Sequence, residues 1–150
     1  MKHFKDFKAF AVASLCAGML LTGSALAVDR PYTMGSVWSV TLVRVKYGMD
    51  QQYLTDLAGT FKRSLDEAKK QNLILSYKVL DGGSANKDDW NLMILVEQKN
   101  WALFDTPPET FDAIAEKMVG PEKQQLELLV KRSDMREIVG TKNLQEILFK

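Results

Sequence analysis

The chain holds one cysteine, Cys16, and one histidine, His3. Both fall in the first 27 residues, which have the layout of a secretory signal. Lys2, Lys5 and Lys8 make a positive start, "AFAVASLCAGMLL" an apolar middle, and Ala25 and Ala27 the small-x-small spacing that signal peptidase reads. The apolar run is shorter than the ~20 residues a membrane span needs. Leu15, before Cys16, is too bulky for lipoprotein processing, and Cys16 sits inside the apolar stretch, not at its end. Cleavage is therefore expected after Ala27. The mature protein is then exported to the periplasm or beyond, without a stable membrane anchor.

Removal of that segment leaves no cysteine and no histidine. A disulfide is excluded, although an oxidising compartment would permit one. Cys–His and Ser–His nucleophile pairs are excluded with it. So are thiolate and imidazole ligands for zinc, copper or haem iron. No cofactor is expected. Three lysines and one aspartate also leave, so 20 basic and 19 acidic residues become 17 and 18, a formal charge of −1. No basic stripe remains for nucleic acid. Linkers, low-complexity tracts and solenoid periods are also missing.

What remains is 123 residues, a single-domain length. Residues 28–35 read as a short leader, and residues 36–150 as the domain. "SVWSVTLVRVK" (36–46) is a β-branched strand with apolar residues in both registers, so both of its faces need cover. Asp50 is placed to cap a helix of about six turns. Its apolar stripe includes Tyr53, Leu57, Phe61, Leu65 and Ala68. "LILSYKVLDGG" (73–83) and "WNLMILVEQ" (90–98) are strands joined by a loop. Asp81, Asp88 and Asp89 in that region lack calcium-loop spacing and read as solvated turn residues.

A short turn around Trp101–Phe104 comes next. Thr106 and Glu109 suggest a capping box, with Pro107 at the first helical position. Phe111, Ile114, Ala115 and Met118 form an inward stripe. Gly120 and Pro121 divide that helix from another, whose stripe is Leu126, Leu129 and Val130. A strand at about 136–142 extends or restarts toward 149. The charge runs "KRSLDEAKK" and "KRSDMRE" read as solvated helix faces.

The order β-α-β-β-α(α)-β is the split βαβ pattern of an α+β, ferredoxin-like antiparallel sheet with helices on one face. The second face would carry Trp, Met, Leu and Val. A second copy of the chain is its simplest cover.

Local phrases carry a family likeness. "VRVKYGMDQQYL", "ILSYKVL" and "WNLMILVEQKNWALFD" resemble the dimeric α/β-barrel superfamily, in particular its antibiotic-biosynthesis-monooxygenase-like members. The likeness covers roughly residues 36–105 and the closing strand. It implies a homodimeric barrel, with Glu97 in the place of the glutamate that closes the third strand. Tyr47 stands where the family has proline, and Asp105 and Thr106 where many members have histidine. Haem-degrading relatives hold iron through a histidine that the mature chain lacks. Cofactor-independent oxygenation of a phenol or quinol fits the remaining chemistry.

Trp38, Tyr77, Trp90, Met93 and Trp101 suit either core and interface packing or the lining of a site for a small aromatic or apolar molecule. Arg44 and Glu97 are charges on otherwise apolar strands. A structural ion pair is their default reading if they meet across the sheet; a Glu97 desolvated beside the aromatics is a candidate proton acceptor, and Arg44 a candidate anion clamp. Three readings follow: an exported homodimer that binds a small molecule, a non-catalytic periplasmic protein that self-associates or docks a partner, and a cofactor-free monooxygenase.

Overall fold

A computed structural model describes residues 29–150. The expected signal segment, with Cys16 and His3, lies outside them. Four strands form one antiparallel sheet: β1 (Tyr32–Val45), β2 (Ser76–Asp81), β3 (Leu92–Gln98) and β4 (Arg136–Phe149). Their spatial order is β2-β3-β1-β4. β3 thus lies between β1 and β2, and β4 closes the other side of β1. This is the ferredoxin-like arrangement expected from the element order.

β1 begins at Tyr32, so residues 32–35 belong to the sheet and not to a leader. They pair with the end of β4, which runs unbroken to Phe149. A bulge between Met34 and Val37 marks where this outer pairing departs from the central register. β2 and β3 are shorter than the sequence suggested: β2 starts only at Ser76, after Leu73–Leu75, and stops before Gly82, and β3 starts after Trp90 and Asn91.

Between β1 and β2 run α1 (Asp50–Asp56), a π-helical turn (Leu57–Phe61) and α2 (Lys62–Lys70). Asp50 is already helical; Met49 precedes it and supplies no side-chain cap. Asn72, at φ +58° just past the cap of α2, turns the chain away, and there Leu73 N–H bonds Ala68 O and Asn72 N–H bonds Lys69 O. This left-handed stop is one that asparagine tolerates.

After β3 comes a 3₁₀ turn (Trp101–Asp105), then α3 (Pro108–Met118) and α4 (Glu122–Met135). The expected capping box does not form. Pro107 occupies the cap position, Pro108 opens the helix, and no side chain caps it. Two successive prolines shift the start by one residue, beyond reach of Thr106. Gly120, at φ +124°, makes the break before α4 that the sequence placed there.

Directly paired residues share a face of the sheet. Val37, Val43, Val45, Leu92 and Ile94 face the helices and are buried. Tyr53, Leu57 and Met135 close the core over β1, while Ala68, Ile74 and Ile114 form a second cluster. α3 buries only Ile114 fully, and Phe111 stays 38% exposed. Leu126, Leu129 and Val130 of α4 are 53%, 55% and 64% exposed, so the stripe expected to pack inward does not.

The opposite face of the sheet is uncovered. Trp38, Val40 and Leu42 of β1 lie beside Met93 and Leu95 of β3, Leu80 of β2 and Leu144 of β4. The β1 and β3 members are half-buried by one another; Leu80 and Leu144 are 48% and 51% exposed. Among the described residues no helix is long and apolar enough to cross a membrane.

Candidate functional site

The open sheet face has an apolar centre and charged ends. Register puts Trp38 opposite Glu97 and Leu144. Lys78, level with Leu95 on β2, holds its ammonium 5.6 Å from the centroid of the Trp38 ring. That is cation–π range, and the lysine stem covers part of the indole. Met93 sits between Leu42 and Leu80.

Glu97 stands at one end of this face. Its carboxylate accepts a 2.5 Å hydrogen bond from Ser76 Oγ, on the neighbouring strand. Arg44 stands at the other end. The two are about six residues apart along the strands, roughly 20 Å at ~3.3 Å per residue, so no ion pair joins them. Arg44 instead pairs with Glu137 Oε2 at 2.5 Å and reaches Asp88 at 3.9 Å. It lines an open recess of about 550 Å³ with Tyr47, Asn91 and Glu137. None of the three tryptophans reaches that recess.

The remaining sequence candidates scatter. Tyr77 faces the helices, where its hydroxyl donates to Asp66 Oδ1 at 2.7 Å. Lys62 holds the other oxygen of Asp66 at 2.6 Å. Those two bonds, Lys62 first, keep the Asp66 carboxyl below its ordinary range. Burial, and then the Asp66 bond, raise the Tyr77 phenol. Tyr77 thus ties α2 to β2. Trp90 and Trp101 flank opposite ends of β3. Trp101, 46% exposed, donates from Nε1 to Gln145 Oε1 at 3.0 Å and packs on Phe104 at 5.6 Å between centroids. Only Trp38, Met93, Glu97 and Arg44 share a surface.

A second feature escaped the sequence reading. On the helical side, the π turn, α3 and α4 border a cleft of about 840 Å³. Phe61, Ala115, Val119, Leu126 and Leu129 give it apolar walls, and Arg132 also lines it. Arg132 belongs to the run "KRSDMRE", whose composition pointed to solvent. The only sequence signal for the π turn is Gly59-Thr60, two weak helix formers in succession inside a helical stripe.

No family model matches the chain, and no curated relative does. Among solved structures it is similar to a dimeric ferredoxin-like protein from an uncultured marine organism. Identity is 14%, the TM-score is 0.48, and the match covers 76% of this chain and 96% of that one. Strand order and antiparallel register make the fold ferredoxin-like on their own.

Proposed function

We propose that this chain is exported and acts as a homodimeric small-molecule-binding protein whose two subunits stack their open sheet faces. The observation that carries the pairing is the uncovered apolar surface around Trp38, Val40, Leu42, Met93 and Leu95. Contiguous apolar surface of this kind is costly in water and marks an interaction site. Its arrangement suits self-pairing. An apolar centre meets an apolar centre about a two-fold axis, while Arg44, Glu137 and Glu97 stay near the ends and Lys78 and Lys142 flank the centre from the outer strands. Export is supported by the signal-like first 27 residues. Binding is supported by recesses of ligand size beside the sheet and between the helices. Cofactor-free oxygenation draws less support. Glu97 is engaged by Ser76 and lines neither recess.

Native mass spectrometry and sedimentation of the mature protein should show a dimer at micromolar concentration. Leu95→Asp places a charge in the middle of the face and should weaken dimerisation by about 100-fold or more. A wild-type chain that stays monomeric at that concentration rejects the pairing. Expression of all 150 residues should yield a periplasmic product starting at Val28; an intact start at Met1 rejects the export step.

A further inference from the structure

The helix-side cleft owes its shape to the π turn. There Lys62 N–H bonds Leu57 O, one residue further back than in an α-helix. The wider turn brings Thr60 to the cleft. Thr60 Oγ1 donates to Asp56 O at 2.6 Å, and it accepts a close contact from Arg132 Nη2 on α4. One hydroxyl thus links the π turn to the guanidinium.

Arg132 is poorly matched by the protein. It makes no ion pair among the described residues. Its Nε is buried and finds no acceptor among them. The nearby Asp56 is taken by Lys131, whose Nζ lies 2.9 Å from Oδ2. Burial holds the Arg132 guanidinium below its ordinary value. Tyr53 and Asp56 counter that fall, while the like charge of Arg136 adds to it. A half-buried guanidinium bonded only to one hydroxyl, with its nearest carboxylate, Asp56, shared with Lys131, has donors left over. This one lines a cleft whose walls are Phe61, Ala115, Val119 and two half-exposed leucines.

We infer that the cleft between the π turn, α3 and α4 binds an apolar molecule with a single anionic head, a carboxylate on a hydrocarbon chain or ring, seated against Arg132. The guanidinium offers forked donors to a carboxylate, and its partial burial strengthens the pairing relative to open water. The apolar walls take the body of the ligand. Asp112, Glu116 and Glu122 also line the cleft, but they are exposed and screened by water. They leave the anionic head its place at Arg132 and disfavour a second negative charge. This rests on the binding reading above and adds the site and the ligand class. It is independent of dimerisation, because the cleft is on the far side of the sheet from the open face.

The test is thermal unfolding of the full mature protein with dodecanoate, dodecanol or dodecylammonium at equal sub-millimolar concentration. Dodecanoate alone should raise the melting temperature, and calorimetry should give one site per chain. Arg132→Met should weaken dodecanoate by at least about tenfold. Should that variant fail to fold, Ala115→Trp, which fills the cleft from α3, must remove the shift. The inference is overturned if dodecanoate gives no shift, or if the shift survives Arg132→Met or Ala115→Trp. Equal binding of dodecanol also overturns it, while leaving the apolar-binding reading intact. A monomeric Leu95→Asp chain that still takes up dodecanoate separates this site from the pairing.

Discussion

Glu67 shows how much one side chain can hold. It lies nearly buried on α2 and receives Lys117 Nζ from α3 at 2.7 Å and Gln71 Nε2 at 3.1 Å. The Lys117 bond, then the Gln71 bond, keep its carboxyl below the ordinary range, against the opposing pull of burial. Folded Glu67 therefore binds its proton less readily than unfolded Glu67. Its stabilising effect is full above the unfolded pKa, near ~4.3, and is lost as pH falls through the lower folded value. Melting temperature should drop between about pH 5 and pH 3, and Lys117→Met should flatten that drop. An unchanged acid limb in the variant would show that the pair carries none of it. Composition gave little sign of this. The run "KRSLDEAKK" has compensating charges and reads as solvated, yet Glu67 within it is buried. Arg132 misleads in the same way. Charge runs report average polarity, whereas burial of one member depends on which helix crosses above it.

Among elements, the strands were the most legible. "SVWSVTLV" alternates between residues that meet helices and residues that meet nothing, and its pairing with "LMILVEQ" follows from that pattern. Helix faces were less so. Periodicity says that Leu126, Leu129 and Val130 share a side; it does not say what that side meets. Here α4 turns part of it to the cleft, because Pro121 and the immediate start of β4 after Met135 fix both of its ends. The π turn was not legible beyond the weak helix formers Gly59 and Thr60. Gly59 has a helical, negative φ, and a Cβ there would meet no atom within 4 Å. Gly59→Ala should therefore stabilise the protein by about 0.5–1 kcal/mol. Urea unfolding reads this as a higher midpoint at unchanged slope. A lower midpoint would mean that the π turn itself depends on glycine.

For the whole molecule, element order alone was enough to anticipate the sheet and its bare second face. The site was legible only in part. Trp38, Met93, Arg44 and Glu97 do share that face, but Arg44 and Glu97 occupy its two ends, because register sets distance along a strand and sequence composition does not. Tyr77 points the other way, since a residue one step from Lys78 must face the helices.

The pairing of β1 with β4 has a consequence in time. It joins the two ends of the described chain: Ser39 bonds Asn143 across 104 positions, and Lys150 reaches Asp29 across 121. β1 cannot gain its longest neighbour until the last fourteen strand residues are available. Such late, distant closure is slower than local helix folding, on the order of 1 ms to about a second for a mixed α/β domain. Stopped-flow refolding should fall in that range, and completion below about 1 ms would contradict it. Until β4 pairs, one whole edge of β1 stays unpaired and open to a strand of another chain.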